Sequence, residues 1–358
     1  MGDPQSIVKQ VAHNCAITDA RHATIFSVCG LALRLRGLYK WEKGLDPWVE
    51  EEPGRLMTWI EETEIAWEKL ENLDFIGIRS DDRVFDPFNA AGINGTLEPS
   101  GMIYGAGYAQ GLAPTFFMAC LKEARNLHGC SIFILGKELA RDLMSIPALS
   151  QDNRIYIRTE VVKSFLWDQI FFINRSGKSA LNLALQSFKA QEDDKLSIRR
   201  CLPEIVENET ESFLFHELGE VLDPTLDRMA WRELLAQFPN TVIELLARTL
   251  KDIVADTSPF GRLSFIVKQH RSSSLAFFVA FLDGFRKILF PEIFTAFERF
   301  VSDGSWEIIE EAVRKGYQTA RERAGMLMEI FQSGKNKSQP TWTESEIHRN
   351  LIQPLGLR

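Results

Sequence analysis

Five consecutive residues, His216-Glu217-Leu218-Gly219-Glu220, combine side chains that can bind a metal ion. Residues four apart lie on one face of a helix, so the His216 imidazole and the Glu220 carboxylate can converge on one cation. Glu217 lies beside them and can act as a general base on a bound water. The pattern departs from the His-Glu-x-x-His motif of zinc proteases, because glutamate replaces the second histidine. The segment therefore predicts a metal-assisted or acid–base site that uses Zn, Fe or Mn.

Further carboxylates follow at helical spacing. Asp223 extends the face of His216 by one more turn, and Glu244, Asp252 and Asp256 lie four or eight residues apart in the next predicted helix. Helical di-metal proteins build their centres from carboxylates and histidines on packed helices, although they use paired Glu-x-x-His units that this chain lacks. We expect these four carboxylates to be supporting ligands.

The same residues also fit a purely structural role. His216 and Glu220 can form a hydrogen-bonded pair, and Arg248 is spaced to form ion pairs with both Glu244 and Asp252. The protein would then be a non-catalytic interaction or scaffold protein, with its Trp-rich N-terminal helices and Phe-rich C-terminal helices forming domain and partner interfaces. The sequence leaves open whether the protein is an enzyme.

A glycine-rich segment gives a third hypothesis. Gly105, Gly107 and Gly111 follow the apolar run Met102–Tyr104, as glycines do in dinucleotide-binding loops. The spacing is one residue too long, and Glu138 is a late candidate for the acid that binds the ribose. The segment therefore predicts either nucleotide binding or a hairpin or edge strand.

Composition narrows the class of protein. The 358 residues carry a net charge of -8 with a pI near 5.5, which disfavours binding to the phosphates of nucleic acid. Five cysteines form no Cys-x-x-Cys pair, as expected for reduced thiols, and no apolar run is long enough to span a membrane. We expect a soluble, cytoplasmic protein; a small-molecule or protein partner and a homo-oligomer remain open.

The N-terminal half contains two different patterns of apolar residues. Residues 1–73 have apolar residues at helical spacing, whereas residues 74–158 consist of short apolar runs separated by Gly, Pro, Asn and Asp. The run from Ser131 to Leu135 is the clearest strand, and residues 137–144 have helical spacing. With a helix over 159–190, we predict an N-terminal α+β domain over residues 1–200.

The C-terminal half is predicted to be all helical. A charged stretch of weak periodicity, residues 191–211, is the best candidate for a domain boundary. Apolar residues then recur three and four apart, interrupted by Pro224, Pro239, Pro259 and Pro291. The predicted fold class is α+β and predominantly helical: N-terminal helices plus a small sheet, followed by an all-α domain over 201–358.

Overall fold

A computed structural model of the chain describes residues 4–282 and 284–356. It divides into two compact units: unit 1 ends at Asp168 and unit 2 begins at Gln169. The structure confirms the predicted fold class, with helices and a small sheet in unit 1 and helices in unit 2. The division falls inside a helix, Thr159–Phe171, and not at the charged stretch where the sequence places the boundary. Within the described residues, no helix has both the length and the apolar character of a membrane span.

The helices of unit 1 begin where the sequence supplies caps. The Ser27 hydroxyl accepts a hydrogen bond from Gly30 N at the start of α2, and the Asn89 side chain accepts one from Gly92 N at the start of α4. The helices are α1 (Pro4–His22), α2 (Val28–Glu42), α3 (Pro53–Trp67), α4 (Ala90–Leu97) and α5 (Thr159–Phe171).

Unit 1 contains a two-stranded and a five-stranded sheet. The strands are β1 (Ile78–Ser80), β2 (Arg83–Phe85), β3 (Met102–Tyr108), β4 (Pro114–Leu127), β5 (Cys130–Arg141), β6 (Ala148–Gln151) and β7 (Arg154–Arg158). The larger sheet has the order β3-β4-β5-β7-β6, in which β5 and β7 are parallel and the other pairs antiparallel.

The predicted helix over residues 137–144 is wrong, because β5 continues to Arg141. Glu138 pairs with Ala119 of β4, and Arg141 pairs with Phe117. Apolar spacing in this stretch fits either period, and pairing with a long neighbouring strand decides in favour of β structure. α1 packs against the same sheet, and the buried Cys15 thiol donates a hydrogen bond to Phe116 O at 3.2 Å.

Within the described residues of unit 2, all regular elements are helices. Besides the end of α5, it contains α6 (Lys178–Gln186), α7 (Lys195–Leu222), α8 (Arg228–Gln237), α9 (Val242–Thr257), α10 (Arg262–Lys268), α11 (Ser272–Phe281), α12 (Gly284–Leu289), α13 (Glu292–Asp303), α14 (Trp306–Asn336) and α15 (Pro340–Ile347).

The charged stretch over 191–211 lies mostly inside α7. Asp194 caps this helix by accepting hydrogen bonds from Leu196 N and Ser197 N. Ile198, Cys201 and Ile205 are buried in the same stretch. Their spacing of three and four residues marks a helix face that the surrounding charged residues conceal in the sequence.

Two glycines allow the backbone of α9 to be approached closely. A Cβ added at Gly219 of α7 would lie 2.0 Å from Ala255 O, and one added at Gly261 would lie 2.1 Å from the same oxygen. No real Cβ tolerates such a distance to a backbone atom. Helices α7 and α9 therefore meet at a point where only glycine fits.

Gly219→Ala is expected to lower the free energy of unfolding by roughly 1–3 kcal/mol, because α7 and α9 must separate. Gly325 lies inside α14 with no atom within 4 Å of its added Cβ. The matched Gly325→Ala should instead stabilise the protein by about 0.5–1 kcal/mol through helix propensity alone. Urea unfolding of both variants measures this; equal effects would contradict the close approach.

Candidate functional site

The predicted motif lies where α7 passes α9, so most of the proposed ligands do come together. His216, Glu217 and Glu220 project from α7, and Asp252 and Asp256 project from α9. Basic residues of three helices lie among them. We call this set the His216 cluster; its members are His216, Glu217, Glu220, Lys251, Asp252, Asp256, Arg262 and Arg286.

The imidazole of His216 is bonded to a carboxylate of the facing helix. Its Nδ1 lies 2.7 Å from Oδ1 of Asp256, whose side chain is only 3% exposed. Burial by itself lowers the pKa of His216, but the charge and hydrogen bond of Asp256 outweigh burial and raise it. Burial likewise opposes ionisation of Asp256, yet His216 and Arg262 lower the pKa of Asp256 to about 2. The pair is therefore stabilised as imidazolium and carboxylate.

Glu220 of α7 and Asp252 of α9 each form an ion pair with a basic side chain. Lys251 forms an ion pair with Glu220, and Arg286 forms one with Asp252. Lys251 also lies 3.9 Å from Asp252. Burial would lower the pKa of Lys251, but the charges of Glu220 and Asp252 raise it, so the amine stays protonated. Each of these carboxylates has an ordinary protein cation as its partner.

Arg262 closes the cluster from α10. Its Nε donates a hydrogen bond to Ser212 O at 3.0 Å and lies 3.8 Å from Oδ1 of Asp256. The guanidinium lies over the ring of Phe213, and Phe215 stacks on Phe265 with the ring centroids 4.0 Å apart. These rings form an apolar wall beside the charged groups, which strengthens the electrostatic interactions there.

Two of the predicted ligands lie outside the cluster. Asp223 accepts a hydrogen bond from the Tyr317 hydroxyl at 2.6 Å and one from Thr225 N at 2.9 Å, as the C-cap of α7. Glu244 accepts from Arg248 Nε at 2.8 Å, at the first turn of α9. Both carboxylates serve helix ends, so the structure does not bring them to His216.

Glu217 is the buried member of the motif, with 7% of its surface exposed. One ligand atom from each of His216, Glu217 and Glu220 lies within 4.8 Å of the other two. Ligand atoms that each lie roughly 2.0–2.2 Å from one metal ion are closer to one another than this. The three side chains would therefore have to move slightly toward a common point to bind a metal.

The charges of the cluster nearly balance. Glu217, Glu220, Asp252 and Asp256 supply four carboxylates, and Lys251, Arg262 and Arg286 supply three cations. A protonated His216 is the fourth. Burying charged groups is costly unless each has a partner, so the cluster favours either a proton or another cation at the imidazole.

The sequence does not predict that basic residues belong to the His216 cluster. Arg262 and Arg286 lie on separate short helices, and neither is at helical spacing from the acidic residues. Lys251 is next to Asp252 in sequence, yet its main partner is Glu220 on the other helix. Only the packing of α7, α9, α10 and α12 against one another reveals these contacts.

The glycine-rich segment is not a phosphate loop. Gly105 and Gly107 lie inside β3, paired with Phe117 and Thr115 of the antiparallel strand β4. A Cβ added at Gly105 would lie 2.1 Å from the ring of Phe117, so this glycine makes room for an aromatic side chain. The segment therefore does not form the strand–loop–helix geometry of a dinucleotide-binding fold, and the hairpin alternative is confirmed.

The charge pair of His216 and Asp256 predicts a pH dependence. The pKa of His216 is raised above its ordinary value of 6.5. Its contribution to the free energy of unfolding is therefore full below about pH 6.5 and is lost as the pH rises through the pKa of the folded protein. The pKa of Asp256 falls from 3.8 to about 2. Its contribution to the free energy of unfolding is therefore full above the ordinary pKa of 3.8 and is lost as the pH falls toward 2. The free-energy loss in His216→Ala should therefore be larger near pH 5 than near pH 9.

Urea unfolding of the wild type and His216→Ala at about pH 5 and about pH 9 measures this difference. His348→Ala, which removes a half-buried histidine of the same unit outside the His216 cluster, is the control for the loss of a histidine side chain. An equal loss in His216→Ala at both pH values would contradict a protonated imidazole.

Comparison with known families covers most of the chain. A model described as the N-terminal domain of a family of unknown function (DUF6866) matches residues 6–158, and a model described as its C-terminal domain matches residues 163–350. No curated protein and no solved structure matches the chain. The second model alone spans more than half of the 358 residues, so the chain belongs to the DUF6866 family.

Proposed function

We propose that the protein is a non-catalytic interaction or scaffold protein and that the His216 cluster is a structural ion-pair network. The observation that carries this proposal is the state of the predicted ligands. Glu220 is bonded to Lys251, Asp252 to Arg286 and Asp256 to His216. A divalent cation would have to displace these partners and lie close to the three fixed positive charges of Lys251, Arg262 and Arg286.

The position of the cluster supports a bracing role. Its members join α7, α9, α10 and α12, and they surround the point where Gly219 admits the backbone of α9. Paired charges that cross between helices fix one helix register, since any shift would leave a buried charge without its partner. A domain braced in this way presents fixed helical surfaces, which is what a scaffold requires.

Removing one member of the network should cost stability without changing the response to metals. We expect His216→Ala and Glu220→Gln to lower the free energy of unfolding by roughly 1–3 kcal/mol, because each leaves a buried partner unsatisfied. Melting temperatures of the wild type and both variants, with EDTA and with Zn, Fe or Mn, measure this. A metal-dependent rise in the wild type that disappears in both variants would contradict the proposal.

A second candidate function is a metal-assisted or acid–base site. The ligand atoms of His216, Glu217 and Glu220 within 4.8 Å of one another favour it. Asp256 bonds Nδ1 and leaves Nε2 of His216 for a cation, an arrangement common around metal-bound histidines. In this function, His216 and Glu220 would bind Zn, Fe or Mn, Glu217 would act as general base, and the reaction would be hydrolysis or metal-dependent oxidation.

Elemental analysis separates the two functions. After reconstitution with Zn, Fe or Mn, the structural network predicts less than stoichiometric metal in the wild type, equal to that in His216→Ala. About one metal ion per chain in the wild type alone would support the second function and overturn the first. Lys251→Met sharpens the comparison, because it frees the Glu220 carboxylate and removes the nearest positive charge.

A further inference from the structure

A cleft in unit 1 has no role in the proposed function. It has a volume of about 540 Å³ and lies between the end of α2, the following loop, β5 and the first turns of α5. Small-molecule sites commonly have volumes of about 300–1,000 Å³. The cleft is therefore large enough for a small organic ligand.

The floor of the cleft is a buried charge cluster. The Glu138 side chain is fully buried, and its carboxylate lies 2.6 Å from Arg158 Nε and 3.3 Å from Arg141 Nη1. One carboxylate thus faces two guanidinium groups. The Arg141 side chain is 5% exposed, and its Nε is shielded from solvent without a hydrogen-bond partner among the described residues.

Most other charges in the wall are already paired. Arg36 lies 3.0 Å from Asp168, and Lys163 lies 2.6 Å from Asp46. Such pairs hold the sides of the cleft in place and contribute little net charge to it.

Two lysines in the wall have no carboxylate partner in the described part of the chain. Lys40 donates to the carbonyl oxygen of Pro47 at 2.6 Å, and Lys137 is exposed. The carboxylates of Glu42 and Glu160 also line the cleft, but Glu42 pairs with Lys43 at 3.1 Å, and one oxygen of Glu160 accepts a hydrogen bond from the backbone N–H of Glu138 at 2.9 Å. Five basic and five acidic side chains line the cleft, so its charges balance overall, and the donors left for a ligand are those of Lys40, Lys137 and the Nε of Arg141.

An apolar surface borders these charges. Trp41 and Leu45 line the cleft and belong to a hydrophobic cluster of unit 1. The guanidinium carbon of Arg141 lies 5.8 Å from the Trp41 ring centroid, so the cationic and aromatic surfaces adjoin. A ligand with an anionic group and an organic body would find a complement for each part.

We propose that this cleft binds a small organic anion, with a phosphate or carboxylate group against Lys137 and Arg141 and its organic part against Trp41. The ordered pairs in the wall prearrange the site, and the amines of Lys40 and Lys137, together with the Nε of Arg141, supply the attraction. This site lies wholly in unit 1 and does not depend on the role of the His216 cluster.

Isothermal titration calorimetry with AMP, pyrophosphate and citrate tests the proposal. AMP carries both an anionic group and a ring, whereas pyrophosphate and citrate separate phosphate from carboxylate preference. We expect at least one probe to bind with a Kd below about 1 mM at low salt and more weakly at high salt, where exposed charges are screened. No binding by any of the three would overturn the proposal.

Two charge reversals localise the binding. Lys137→Glu changes an exposed side chain in the wall, and Lys69→Glu makes the same change at an exposed position of unit 1 away from the cleft. We expect Lys137→Glu to weaken binding at least about tenfold and Lys69→Glu to change it less than about twofold. Equal effects of the two variants would show an unspecific response to net charge and would overturn the assignment.

The Arg141→Lys variant tests whether the guanidinium of Arg141 contacts the anion, because it keeps the positive charge. It removes the fixed fork of the guanidinium, so weaker binding with an unchanged melting temperature would place the anion on Arg141. Unchanged binding in a folded Arg141→Lys variant would exclude that residue and contradict the proposed pose. Circular dichroism of each variant confirms that it is folded.

Discussion

The close approach of α7 to α9 at Gly219 governs the organisation of unit 2. With no side chain at this position, the backbone of α7 lies against Ala255 O, and the acidic faces of both helices are forced together. Four carboxylates then occupy one small region, a condition that is unfavourable unless cations join them. Lys251, Arg262, Arg286 and the imidazole of His216 meet this condition.

Unit 1 also contains a buried cluster of charged side chains, which lies on its sheet. Glu138 is fully buried and lies between the guanidinium groups of Arg141 and Arg158. Here the carboxylate is outnumbered, whereas in unit 2 the carboxylates outnumber the fixed cations. The two buried clusters therefore differ in composition: two guanidinium groups share one carboxylate in the first, and four carboxylates share three fixed cations and His216 in the second.

Much of the fold could be predicted, because local signals determine it. Ser27, Asn89 and Thr241 begin helices through side-chain caps, and Ser131–Leu135 lies in β5 as its apolar β-branched and aromatic residues indicate. The errors fall where two local patterns conflict. Residues 137–144 have spacing that fits a helix, yet pairing with β4 extends the strand to Arg141.

For the site, the sequence by itself determined which residues share a helix face: His216 with Glu220, and Asp252 with Asp256, because the helical repeat fixes that relation. It also determined that acidic groups exceed basic ones along these two helices. Only the tertiary structure decided which charges meet. Lys251 reaches Glu220 and Arg286 reaches Asp252 across helix contacts, and Asp223 and Glu244 are directed to helix ends. Such pairings depend on the distance and register between helices, and no spacing along one chain segment encodes them.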